Sequence, residues 1–145
     1  MSRDPLAGSV GHARSGDSTV GAFAGRHVLA EFQGVDPVLL DDVGFLRGTL
    51  ERSLGEAGAT VCEVVSRRFV PQGVTVLALL SESHASLHTY PELGSVFLDV
   101  FTCGDRADPE LAMRLLAEAL AATSTNITTI RRGRTPVDAR EERAS

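Results

Sequence analysis

A chain of 145 residues with 43% hydrophobic and 23% charged side chains is long enough for one buried core and has the composition of a globular domain, not of a disordered or fibrous chain. A formal net charge of −5 without a basic stripe excludes a general nucleic-acid binder, and no apolar run approaches membrane-spanning length. Two distant cysteines, Cys62 and Cys103, form neither a disulfide scaffold nor a zinc-type spacing, which fits a reducing, cytoplasmic setting.

Residues 1–24 are rich in Gly, Ser and Ala and show little periodicity, so the sequence predicts a flexible leader without a signal-peptide pattern. Residues 27–33 alternate enough to be a strand. Asp36 then offers an N-cap and Pro37 a first helical turn. Leu39, Val43, Leu46, Leu50 and Leu54 follow at steps of three and four, which predicts one helix with a single apolar face, ended by Gly55 and Gly58. Residues 60–67 read as a β-branched strand. Pro71, Gln72 and Gly73 turn the chain into a second, strongly apolar strand at 74–80. Residues 84–90 and 95–103 read as two more strands around a turn at 91–94. Asp108 and Pro109 repeat the helix-start pattern, with Ala112, Leu115, Leu116, Ala119 and Leu120 expected on the inner face. Residues 126–132 form a last strand, and 133–145 are charged and read as a flexible tail.

The order β-α-β-β-β-β-α-β, over a single domain at residues 25–132, predicts an α+β fold: an antiparallel sheet with two helices on one face. Several strands carry apolar residues on both sides. The uncovered sheet face therefore also needs a cover, which a second subunit would supply.

Chemistry concentrates in the run SESHASLHTYPE at 81–92, followed by DVFTCG at 99–104. Serine, histidine, glutamate and cysteine at this density are hard to explain by packing. Ser83 as a hydrolase nucleophile would want small glycines at its flanks, where Glu82 and His84 stand instead. A zinc site from His84, His88 and Cys103 is a minor alternative, because the two histidines share a strand face but only three ligands are present. Taken singly, Cys103 and Phe69 would be core, Glu92 a turn residue and His88 a structural histidine. Cys62 reads as core, and His27 and His84 as structural. Asp99 shares the strand face of Phe101 and Cys103.

Together, the strings Glu-Ser-His at 82–84, His-Thr-Tyr-Pro-Glu at 88–92 and Asp-Val-Phe-Thr-Cys-Gly at 99–104 resemble the prokaryotic S-adenosylmethionine decarboxylase proenzymes, over about residues 25–132. The resemblance implies self-cleavage between Glu82 and Ser83. The Ser83 hydroxyl attacks the Glu82 carbonyl, the resulting ester is eliminated, and loss of ammonia leaves a pyruvoyl cofactor at the new N-terminus. It implies His88 as the base of the elimination and Cys103 as the later proton donor. The pyruvoyl group would take the substrate amine as a Schiff base and accept the electrons of the leaving carboxylate. Phe69 matches an adenine-facing ring, Glu92 an acid that holds ribose hydroxyls, and Thr75 a hydroxyl that assists processing near the cleavage site. The resemblance also implies a homodimer in which two sheets and four helices form an α/β/β/α sandwich. Neither a metal nor a nucleic acid nor a membrane enters this reading.

Four residues depart from the family pattern: Arg67 and Arg68 before Phe69, Val76 where a smaller residue is usual, and Phe97, whose ring shares a face with Asp99, Phe101 and Cys103. All four are expected to bear on substrate recognition. The expected substrate is S-adenosylmethionine, with its decarboxylated product serving as aminopropyl donor for spermidine. The same chemistry on arginine or ornithine is the alternative, and a non-catalytic regulatory subunit a third reading that intact Ser83, His88 and Cys103 disfavour.

Overall fold

The structure, a computed structural model, describes residues 23–134. Six strands form one antiparallel sheet in the order β2-β3-β4-β5-β1-β6. They are β1 (Phe23–Gln33), β2 (Val61–Arg68), β3 (Val74–Leu80), β4 (Ser83–Tyr90), β5 (Ser95–Cys103) and β6 (Ser124–Arg134). The chain order is the expected β-α-β-β-β-β-α-β, and the fold is α+β. The first and last strands reach two residues beyond the expected domain at each end, taking in Phe23 and Ala24 at one and Gly133 and Arg134 at the other. The rest of the expected leader and tail lies outside the described residues.

The first helix differs from its expectation. The apolar spacing from Leu39 to Leu54 predicts one helix, but the chain forms a single turn, α1 (Pro37–Leu40), and then α2 (Val43–Glu56). The break has a local cause. Asp36 caps α1 by accepting from the Val38 N–H at 2.9 Å, and Asp42 starts afresh by accepting from the Phe45 N–H at 3.0 Å. A second Asp cap competes with continuation of the helix. Between the caps, Asp41 turns away to the β2–β3 hairpin, where it meets Arg68 at 2.5 Å and the Gly73 N–H at 3.0 Å. The last helix, α3 (Pro109–Ala119), begins as expected, with Asp108 accepting from the Leu111 N–H at 3.0 Å. Its buried face is Ala112, Met113, Leu116 and Leu120; Met113 replaces the expected Leu115, and Ala119 is exposed.

The core lies between this sheet and the helices. Val28 and Phe32 of β1, Val76 of β3, Leu87 of β4 and Leu98 of β5 meet Leu46, Leu50, Leu54, Met113 and Leu116. Among the described residues, nothing covers the opposite face. Leu29, Val65, Leu77, Phe97 and Ile130 stand on it between 37% and 48% exposed, a broad apolar surface of the kind that marks an interaction site.

Candidate active site

The sharpest geometry sits at one end of β4. Leu80 pairs with Ser83, so Ser81 and Glu82 alone make the β3–β4 turn. This turn is pinned from several sides. The Glu82 carboxylate accepts from the Thr60 N–H at 3.1 and 3.2 Å, and the Ser81 N–H donates to the Thr60 carbonyl at 3.0 Å. The Glu82 carbonyl in turn accepts from two groups of Cys103, its backbone N–H at 3.2 Å and its thiol at 3.0 Å. Cys103 is half-buried on the open side of the sheet, so it is not a core cysteine. Two donors therefore converge on the carbonyl of the Glu82–Ser83 peptide. Attack on that carbonyl would place negative charge on the oxygen, and donors already aimed at it stabilise such charge without reorganisation.

A polar cluster continues from Ser83 across the open face. The Ser83 Oγ lies 3.2 Å from His84 Nδ1, and His84 Nε2 lies 3.0 Å from Asp99 Oδ2. His27 Nε2 meets the same oxygen at 2.7 Å, and the Ser86 hydroxyl donates to Asp99 Oδ1. Arg132 lies 3.4 Å from His27 Nδ1 and 4.6 Å over the Phe101 ring. Partial burial pushes the Asp99 carboxyl up, but hydrogen bonds from Ser86, His27 and His84 outweigh it and hold the group below its usual range. Register explains the gathering. Ser86 stands opposite Asp99, while His84 stands opposite Phe101, which stands opposite His27. His27 and His84, read from sequence as structural, are thus part of this cluster. Alternation places His84 and Ser86 on one face of β4, but only the adjacency of β1 and β5 brings His27 to Asp99.

The other end of β4 carries a second group. His88 Nδ1 lies 3.0 Å from the Thr75 Oγ1 across β3. Phe97 stands opposite His88 on β5, its ring edge-on to Tyr90 with centroids 5.4 Å apart. His88 is five residues from Ser83 along an extended strand, about 16 Å at the usual rise. A single chain therefore does not bring His88 to Ser83. Thr75, expected near the cleavage site, stands with His88 instead, because β3 runs antiparallel to β4 and carries it to the far end. Phe69 is exposed in the β2–β3 hairpin, closed by its N–H to the Gly73 carbonyl at 2.8 Å. Glu92 is exposed in the short 3-10 turn Pro91–Leu93.

The departures from pattern separate by position. Phe97 is on the open face beside His88, and Arg67, opposite Thr75, is exposed on that face. Val76 is fully buried in the core and Arg68 pairs with Asp41, so neither stands on the open face with Phe97 and Arg67. Cys62 is also corrected. It is exposed where the β2–β3 register shifts, with its sulfur 3.3 Å from the Ser81 hydroxyl. The trio weighed for zinc, His84, His88 and Cys103, is not gathered, because the two histidines face different partners at opposite ends of β4. Among the described residues the compact His and Asp group is His27, His84 and Asp99.

Fold and site define a class first: an α+β domain whose hairpin presents an internal serine, with a cysteine's two donors on the carbonyl before it. The comparisons narrow the class. The sequence model of the S-adenosylmethionine decarboxylase family matches residues 26–133. S-adenosylmethionine decarboxylase proenzyme 2 of Halalkalibacterium halodurans is 43% identical over 113 residues, 78% of this chain and 89% of the relative. The proenzyme of Prochlorococcus marinus is 46% identical over 113 residues, 78% of this chain and 92% of the relative. The crystal structure of the adenosylmethionine decarboxylase from Aquifex aeolicus aligns with a TM-score of 0.68 at 34% identity, covering 79% of this chain and 92% of that one. The chain belongs to the S-adenosylmethionine decarboxylase family.

Proposed function

We propose that this chain is a self-processing decarboxylase of S-adenosylmethionine whose pyruvoyl cofactor is made from Ser83. The observation that carries the reading is the pair of Cys103 donors on the Glu82 carbonyl. They hold the one carbonyl that a Ser83 hydroxyl can reach through a five-membered ring, and they face the oxygen on which charge collects. The Thr60 clamp on Glu82 keeps that peptide still while its successor attacks. The residues present fit the cofactor. The Thr102 hydroxyl, cross-strand from Ser83, is buried without a partner among the described residues and is a spare polar group beside the new N-terminus. Once formed, the pyruvoyl group supplies an electron sink for the bond to the departing carboxylate. Cys103, placed at the same junction, is positioned to return the proton.

The elimination that follows ester formation needs a base at the Ser83 α-carbon. His88 of the same chain is too far along β4. A second copy packed sheet to sheet, through Leu29, Val65, Leu77 and Phe97, supplies one. The His88–Thr75 pair of the partner subunit then faces Ser83, in an α/β/β/α homodimer that also buries the exposed apolar residues. Phe69 and Glu92 are the adenine and ribose contacts in this reading, and Phe97 shapes the pocket beside them. The free cysteines fit a cytoplasmic setting, and the product would donate aminopropyl groups for spermidine.

An intact mass spectrum of freshly purified, denatured protein tests the processing. The expected result is one fragment ending at Glu82 and a second, starting at position 83, lighter by one ammonia than a Ser-initiated chain. Carbon dioxide release is expected from S-adenosylmethionine and not from arginine or ornithine. A single uncleaved species without activity would overturn the proposal.

A further inference from the structure

We infer that His84, held by Asp99, is the base that starts self-cleavage by taking the proton of the Ser83 hydroxyl. This rests on the self-processing reading above and adds a residue that it leaves unused. The tautomers follow from the contacts. Arg132 donates to His27 Nδ1, so His27 carries its proton on Nε2 and gives it to Asp99. Asp99 remains a carboxylate, and its Oδ2 accepts from His84 Nε2–H as well. His84 Nδ1 is then a bare lone pair, 3.2 Å from the Ser83 hydroxyl. Among the described residues, the groups facing this cluster are consistent with that assignment: Asp99 and Phe101 from β5, Ser86 from β4, His27 from β1, Arg132 from β6, and the apolar Leu79 opposite His84 on β3. The hydrogen bonds close without an ion. His88 of the same chain cannot serve, being about 16 Å along the strand.

The step balances. Ser83 Oγ bonds to the Glu82 carbonyl carbon as its proton passes to His84 Nδ1. The carbonyl oxygen becomes an oxyanion against the Cys103 N–H and thiol. The Glu82–Ser83 C–N bond then breaks, and the imidazolium returns the same proton to the leaving nitrogen. An amide has become an ester with a free amine, and His84 is regenerated. Asp99 touches no reacting atom; it is a positioning residue that fixes the tautomer.

The test separates the two chemical steps with hydroxylamine, which cleaves esters and spares ordinary amides. His84→Ala is expected to slow cleavage at least about 100-fold and to accumulate a full-length chain that hydroxylamine leaves intact. Added imidazole should restore its cleavage, an effect that a merely structural histidine would not show. His88→Ala should instead accumulate chain that hydroxylamine cuts between positions 82 and 83. Asp99→Glu should process faster than Asp99→Asn, although Asn is closer in size, because the carboxylate is what matters. The inference is overturned if His84→Ala cleaves at the wild-type rate, accumulates a hydroxylamine-labile ester, or gains nothing from imidazole. Stoichiometric zinc lost on His27→Ala or His84→Ala would also overturn it. If the wild-type chain itself never cleaves, the processing reading fails first, and the two failures are distinguishable.

Discussion

The two faces of this sheet are built from alternate residues of the same strands, yet their chemistry is opposite. Towards the helices β4 turns Ala85, Leu87 and Thr89, all buried, with the one hydroxyl among them bonded to the Leu40 carbonyl at 2.6 Å and the Val74 N–H at 2.8 Å. Away from them it turns His84, Ser86 and His88, each engaged with another polar side chain. The helix side is satisfied within one chain except at the buried Thr102 hydroxyl. The open side is satisfied in its polar groups but leaves apolar side chains in water. Buried packing is concentrated on one face, and the other is left open for the chemistry and pairing proposed for it.

Substitutions that respect this division should have separable effects. The largest is Ser83→Ala, which removes the attacking oxygen and is expected to abolish cleavage, read as a single full-length mass with an unchanged far-UV spectrum. Cys103→Ala removes a thiol from the same junction. In chain that has been processed, decarboxylation should fall by about 10²-fold or more, measured as carbon dioxide release per cleaved site. Leu87→Ala, on the helix face, should cost about 2–5 kcal/mol by leaving a cavity among packed side chains, seen as a lowered denaturation midpoint. Leu77→Ala, on the neighbouring strand but on the open face, should cost well under 1 kcal/mol in that assay yet weaken self-association in sedimentation. Equal effects of the two would erase the distinction between the faces. Phe97→Ala should alter the ratio of kcat/KM among related substrates by about tenfold, measured per cleaved site.

The smallest effect is on acid stability. Asp99 has a folded pKa held below its usual range, so its contribution is present above the unfolded value of about 3.9 and is lost as pH falls through the lower folded value. Asp99→Asn should flatten the acid limb of stability in that window and leave the neutral region nearly unchanged. The carboxylate is partly exposed, so the effect is modest.

Much of the fold was legible because period and caps are local signals. The apolar strand at 74–80, the helix start at Asp108 and the turn at 91–94 each need only neighbouring residues. The break after Leu40 was not, since Asp41 leaves the helix for Arg68 and Gly73, partners about thirty positions away. The site divides in the same way. Ser83, Glu82, His88 and Cys103 stood out through the strings that resemble the decarboxylase family. His27 and His84 did not, because the value of a histidine on an open face depends on which strand lies beside it. Val76 carried the opposite error: its bulk suggested a pocket, and register placed it in the core.

The strand order carries one more consequence. A cut after Glu82 would assign β1, β2 and β3 to one fragment and β4, β5 and β6 to the other. In the sheet, however, β1 lies between β5 and β6, hydrogen-bonded to both along most of its length, and β3 stays zipped to β4. The fragments are interleaved like the fingers of two hands. Severing the backbone frees a chemical end and leaves the body whole, so two polypeptides should migrate together under native conditions and part only when the sheet itself is melted.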